Sequence, residues 1–497
     1  MLGEHRAIRA VLYLILLTTP IAVTMAMLAI VHGASLTDLM PAGPDDVFYW
    51  RQAAVFARAG FNGGYMTAAE ELSALPFARF FAWGLATPLV YGAAATIAWP
   101  YYGVPLVNLA LLTGSLAVLI TIVRPRIPQT LMLIVVFGAF PSTLIHAPTS
   151  MQELFQHALA VMAATAFVYL IRRRQDTPWP ARAAIAILIM AMSITKVTWA
   201  ILWIPYFVLL SRKVLVRTVA AALFASMSLA ILAAVIHRLT AAPYPFAAAS
   251  SDGLTGTFEA VLGGIRENLG LFNSGHPLEV FTRLLVIAGA AVALVSVFRR
   301  WRAGLDERNT ALLVAAGTVS VTLVAGIVLY QIKYFRDFRL ITSPLLMALT
   351  LLIVMLPLRW GIAMVGVQAI ALIWAIPYYA ENSALHVSSR VDRQVAKWTP
   401  LLSEAFPYDP ARPSPWCNTA LVSPYYIFDN VGVSIALDNG IGLSLLTLER
   451  GIAFPVKSAY LLLDEALYAH IGYQLRVEAV FDIPGGKLYR NLDSGCF

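Results

Sequence analysis

Two adjacent aspartates, Asp45 and Asp46, stand in the string PDDVFYWRQA just past the first membrane-length apolar run. A carboxylate at a membrane surface can take the proton of an attacking hydroxyl, which is general-base chemistry. Residues 47 to 60 read as an amphipathic helix lying along the membrane with the acid pair at its N-terminal cap. There a side-chain oxygen accepts backbone N–H groups and meets the positive end of the helix dipole. The plainer alternative is a helix cap without chemistry.

Cations supply the second half of a possible site. On the topology derived below, Arg51, Arg58, Lys196, Arg238, Arg283, Lys333, Arg336 and Arg339 fall at or near the outer surface, where insertion does not call for positive charge. Arginine forks bind phosphate oxygens bidentately and lysine adds a point charge, so the phosphate or diphosphate of a lipid carrier is a natural partner. Snorkelling to bilayer phosphates, or pairing with acids such as Asp337, would also place such residues there. Lys196 differs: it interrupts AMSITKVTWAILW, where an ionisable group costs roughly 2.5–3.5 kcal/mol on insertion scales, so function is its default reading.

The elements that must position these groups follow from composition. The chain is 59% hydrophobic and 12% charged, with mean hydropathy +0.74, against roughly 25% charge in a soluble domain. It is an all-α polytopic membrane protein, because lipid leaves no backbone group unpaired and helices satisfy their own. The run from Ile8 to Val31 follows a signal-like basic start at Arg6 and Arg9, but is too long for a signal h-region and reads as a retained anchor. Basic clusters at Arg6 and Arg9, Arg124 and Arg126, Arg172 to Arg174, Arg212 with Lys213 and Arg217, Arg299 with Arg300 and Arg302, and Arg359 are assigned to the cytoplasm.

One path then satisfies all of them, with about eleven crossings: residues 8–31, 102–123, 128–146, 153–171, 183–196, 197–210, 214–236, 281–298, 310–330, 341–358 and 361–379. The short pair 183–196 and 197–210 could instead be a single bent hairpin; the N-terminus is inside and the C-terminus outside. The apolar stretch from Trp83 to Trp99 cannot cross without pushing the triple arginine outside, so it is expected to be interfacial or re-entrant.

This organisation gives a transmembrane domain over 1–380, outer loops at 32–101 and 237–280, and an extracytoplasmic C-terminal domain over 381–497. The last opens with a polar helix-like stretch and a proline-rich hinge, FPYDPARPSPWC. The short runs TALVS, VGVSIAL, GIGLSLL and LRVEAVF follow, separated by Gly, Asn and Asp, and suggest a small α/β fold. Cys417 and Cys496 are the only cysteines; an even count in an oxidising compartment suggests a disulfide, worth roughly 4 kcal/mol in the chain-entropy model, while two buried thiols are the alternative. No Asn-x-Ser/Thr acceptor occurs, which favours a bacterial cell membrane over a secretory compartment. The net charge of +8 is explained by the cytoplasmic clusters, so nucleic acid is set aside. His32, His146 and His157 lack zinc-ligand spacing and read as interface residues. GFNGG, at 60–64, lacks the strand-turn-helix setting of a nucleotide fingerprint and reads as a helix end.

The order of these features resembles the GT-C superfamily of membrane glycosyltransferases, which includes protein O-mannosyltransferases, lipid A aminoarabinose transferases, arabinofuranosyltransferases and oligosaccharyltransferase catalytic subunits. There an acid pair follows the first span and precedes a helix like FYWRQAAVFARAGF. TPLVYGAAATIAWPYYG resembles their juxtamembrane Pro-Leu-Tyr segment, ITKVTW their Thr-Lys motif, and YFRDFRLITSP their late Arg-Tyr-Leu followed by Pro. The arrangement extends over about residues 1 to 380. Glu153, in SMQELFQH, matches a second family acid without its following Pro, and ITKVTW lacks the family's Gly and Pro.

The resemblance implies an inverting transferase that uses a polyprenyl-phosphate-linked sugar donor, with a glycan, glycolipid or protein as acceptor. Asp45 would be the base and Asp46 would shape the site. Lys196, Lys333, Arg336 and Arg339 would hold the donor phosphate, and Glu153, Arg51 and Tyr49 would lie on the substrate side. Asp45, Asp46 and Glu153 could supply oxygen ligands to Mg²⁺ or Mn²⁺ if they converge. The rival readings are a flippase or other transporter, which should bury charge near the midplane and often shows inverted repeats, and a scaffold, which leaves Asp45 and Lys196 unexplained.

Overall fold

A computed structural model describes residues 2–62, 66–71, 75, 80, 84–211, 216–242, 306–329, 339–387, 389–412, 414–446 and 455–497, with isolated positions between 262 and 295. Among the described residues five helices are long and apolar enough to cross a membrane. They lie in α1 (Leu2–His32), α4 (Gly103–Val123), α7 (Glu153–Arg173), α10 (Val216–Thr240) and α13 (Leu358–Ser383). Around them stand shorter apolar helices: α5 (Ile127–Ala139), α8 (Trp179–Thr195), the segment Val197–Leu210 ending in α9 (Trp203–Leu210), and α12 (Arg339–Met355), with α11 (Glu307–Leu329) beside α12.

Each of the about eleven expected crossings except 281–298 carries helix among the described residues, although several of these helices are short or broken. The stretch 128–146 is broken at Phe140–Pro141 into α5 and α6 (Pro141–His146), because proline opens a helix well and continues one badly. The expected pair 183–196 and 197–210 becomes α8, a break at Lys196, a 3₁₀ turn over Val197–Leu202, and α9. The stretch inside Trp83–Trp99 forms only α3 (Ala86–Ala95), too short to cross. Beyond Ala242, the expected loop and the span 281–298 lie outside the described residues except for isolated positions.

Hydrogen bonds fix which helix ends share a level. Tyr13 Oη donates to Pro125 O at 2.9 Å, Arg172 Nη1 to Val123 O at 3.2 Å, and Gln129 Nε2 to Val354 O at 2.8 Å. Arg124, Arg126 and Arg172–Arg174 consequently gather at one end of the bundle. At the other end His32 Nε2 lies 2.6 Å from Ser383 Oγ, and here the loop after α1 meets the C-terminal domain.

That domain is a six-stranded sheet in the order β1-β3-β2-β4-β6-β5. The strands are β1 (Met66–Ala68), β2 (Thr419–Val422), β3 (Gly442–Leu445), β4 (Tyr460–Asp464), β5 (Val477–Ile483) and β6 (Gly486–Asn491). The first four in that order run parallel, and β4, β6 and β5 pair antiparallel. β2 and β3 are buried along their whole length, as parallel strands covered on both faces are, with Thr419 and Ser444 the polar residues among them. VGVSIAL is not a strand; Val431–Ala436 is helical. Cys417 and Cys496 are joined by a disulfide.

The edge strand β1 comes from the loop after α1, with Met66 opposite Leu443 and Ala68 opposite Leu445. The buried Glu70 carboxylate seals the junction by accepting the backbone N–H groups of Lys457 and Ser458 at 2.7 and 2.6 Å. Helix α2 (Pro44–Ala59) sinks Val47, Phe48, Trp50, Ala53 and Ala54 into the same core as Val391, Val395, Trp398 and Leu402 of α14 (Ser389–Ala405). Burying one such large side chain is worth about 1.5–3 kcal/mol, so α2 is clamped between α3, whose Tyr91 and Ala95 share this core, and the C-terminal domain, and it carries its N-terminus to the bundle end.

Candidate functional site

Helix α2 begins one turn before the expected position. Gly43 is the N-cap, Pro44 opens the helix, and Asp45 and Asp46 occupy its second and third positions. Proline is preorganised for that first place. Adjacent residues on a helix point about 100° apart, so the two acids must face different surroundings.

Asp46 turns back: its Oδ2 accepts the Gly43 N–H at 3.1 Å and lies 3.8 Å from His386 Nε2. It is 3% exposed. Burial pushes its carboxyl up to about 6, with the His386 imidazole working against that shift and the Asp45 charge adding to it. Asp46 is thus a capping residue at the floor of the site.

Asp45 points outward to Arg339, the first residue of α12, whose Nη1 donates to Asp45 Oδ2 at 2.9 Å. The same guanidinium reaches Glu153 Oε1 at 3.7 Å through Nε. Glu153 opens α7 and is buried, and its second oxygen has no hydrogen-bond partner. Lys196, at the break between α8 and the 3₁₀ turn, lies within electrostatic reach of Glu153 and Arg339. Four separate elements therefore bring Asp45, Glu153, Lys196 and Arg339 into one acid–base cluster.

Tyr49, one turn along α2 from Asp45, lies in the same field: burial and then the charges of Asp45 and Glu153 hold its phenol well above the usual range. Tyr91 of α3 completes the wall and donates to Asn108 Oδ1, while Asn108 Nδ2 donates to Met151 O at 2.8 Å. Neither Tyr91 nor Asn108 was singled out from the sequence. The available signal was Asn108 itself, an amide inside an apolar span, where polar groups bind neighbouring elements.

Arg51 departs from its expected substrate-side place. It is 0% exposed and donates to Leu437 O and Asp438 O at 2.7 Å each, and to Ile441 O. Helix α2 aims it into the C-terminal domain, where burial lowers it to about 10. Arg58 pairs with Asp438 at 2.9 Å on the surface. His146 and His157 are buried rather than interfacial, and His157 Nδ1 lies 3.1 Å from Thr143 Oγ1. Lys333, Arg336 and Arg283 lie outside the described residues.

Asp45, Asp46 and Glu153, which could supply oxygen ligands to Mg²⁺ or Mn²⁺ only if they converged, do not gather as a set, since Asp46 faces Gly43 and Arg339 contacts both Asp45 and Glu153. Among the described residues no three His, Cys, Asp or Glu side chains are grouped to hold a metal.

Fold and site together define a polytopic membrane protein with a charged cluster at the junction of bundle and sheet domain. The chain is similar to ArnT from Cupriavidus metallidurans bound to undecaprenyl phosphate, at 12% identity and a TM-score of 0.44, covering 97% of this chain and 98% of that one. It is likewise similar to ArnT from the same organism in the apo state, at 13% identity and a TM-score of 0.45 with the same coverage. No family model and no curated protein matches the chain.

Proposed function

We propose that the chain is a GT-C-type inverting glycosyltransferase that moves a sugar from a polyprenyl-phosphate carrier to an acceptor hydroxyl at the extracytoplasmic face of a bacterial inner membrane. The carrier class is the one that the ArnT structure holds as undecaprenyl phosphate. The observation that carries the reading is the Asp45–Arg339–Glu153 cluster, with Lys196 beside it, at the bundle end opposite the arginine-rich loops. Positive loops face the cytoplasm, so this end faces outward, and so does the C-terminal domain.

In this reading the donor phosphate takes up Arg339 and Lys196, which frees Asp45 from its ion pair. The acceptor hydroxyl then gives its proton to Asp45 as its oxygen attacks the anomeric carbon in a single displacement. The sugar–phosphate bond breaks, and the charge arriving on the leaving phosphate is held by the two cations. Glu153 keeps Arg339 and Lys196 in place and accepts a sugar hydroxyl through its second oxygen.

Asp45→Asn and Lys196→Ala, assayed in membranes with a labelled polyprenyl-phosphate sugar, are expected to lose transfer by about 10²–10⁴-fold while remaining inserted. Normal transfer by both variants would refute the assignment. A transporter would instead move labelled lipid across the bilayer with the sugar still attached.

A further inference from the structure

The bundle end away from the acid cluster carries a cavity of about 210 Å³ between the last turns of α4 and α7. Ile122, Val123 and Val168 form an apolar floor, and Tyr169, Arg172 and Arg173 line the rest. We propose that this cavity binds the headgroup phosphate of an anionic phospholipid.

The two guanidinium groups are held at the cavity by other contacts. Arg172 Nη1 donates to Val123 O at 3.2 Å, covering a carbonyl that the end of α4 leaves without a helical partner. Arg173 lies over the Tyr169 ring, 5.2 Å from its centroid, a cation–π geometry that fixes its direction. Covering the carbonyl also masks part of the negative charge at the end of α4, which would otherwise repel an anion. Arg124 and Arg126 stand exposed at the adjoining turn, and Glu307 is the acid within reach of Arg172. The balance is strongly positive.

The floor identifies the source of the phosphate. A free ion would be satisfied by the guanidinium groups alone, yet this cavity continues into apolar surface, with Ile122 48% exposed beside it. The last turns of two membrane-length helices lie at headgroup depth. There an arginine pair above aliphatic side chains matches a phosphate above the start of its acyl chains.

The test titrates purified full-length protein in a maltoside detergent with dioctanoyl-phosphatidylglycerol and follows adducts by native mass spectrometry. Binding is expected to saturate, and R172A/R173A to weaken it about thirtyfold. Val168→Phe, which fills the floor and leaves every charge, is expected to weaken it by about tenfold or more. Arg58→Ala, a surface arginine at the other end paired with Asp438, is expected to leave it unchanged, which separates this cavity from a general effect of positive charge. Dioctanoyl-phosphatidylcholine should bind more weakly, and inorganic phosphate at millimolar concentration should not displace the lipid. Equal binding by wild type, R172A/R173A and Val168→Phe would overturn the proposal, and effective displacement by phosphate would reassign the cavity to the free ion.

Discussion

At one end of the bundle Arg124, Arg126, Arg172 and Arg173 are exposed and stand close together, while at the other end Arg51 is wholly buried and Arg339 is held between two carboxylates. The residue type is the same and the physics differs. Exposed arginines among their own kind tolerate repulsion because water and counterions screen it. A desolvated arginine persists only where acceptors repay the loss of water, so each of its partners is specified. The contrast separates charge that sets how the chain sits in a membrane from charge that builds a site.

The contrast is broken most severely at Arg339. Replacing it by alanine is expected to lower sugar transfer by about 10²–10³-fold, whereas Arg124→Ala at the opposite end should leave the rate within a factor of about two, compared in the same membranes. Arg51→Ala comes next. It strips three carbonyls of their donor inside the α2–sheet junction and should cost about 3–5 kcal/mol, read as a lower unfolding temperature and earlier proteolysis of the C-terminal region.

Asp46 sharpens the comparison through pH. Burial holds its folded carboxyl up at about 6, against an ordinary 3.8, so the folded protein binds more protons between those values. Stability should therefore fall as pH rises through this window by about 3 kcal/mol and stay at the lower level above it. Asp46→Asn should flatten that slope in thermal unfolding between about pH 4 and 6. The smallest effect belongs to Arg58, whose side chain is 48% exposed in its pair with Asp438; Arg58→Ala should cost less than about 1 kcal/mol.

The sequence made the membrane-length runs, the position of α2 and the isolation of Lys196 legible because each departs from a simple one-dimensional expectation: twenty apolar residues, or a charge that interrupts them. The pairing of Asp45 with Arg339 was not legible, since 294 residues separate them and only the placement of the α2 N-terminus over the start of α12 brings them together. Arg51 misled because an arginine five residues past the acid pair looks the same in a string whether it faces substrate or carbonyls; α2 is buried on more than one face, and the face that carries Arg51 meets the sheet domain. The shortened helices were missed for a related reason. Hydropathy counts Pro141 as nearly neutral, but its ring ends the turn before it.

Strand β1, supplied by residues 66–68, has its pairing partner near residue 443. A ribosome must therefore add several hundred residues before that edge can close, and β1 waits unpaired until then. Closure of the sheet is obliged to wait for its late-made strands, and any fragment that stops before β3 leaves β1 without its partner.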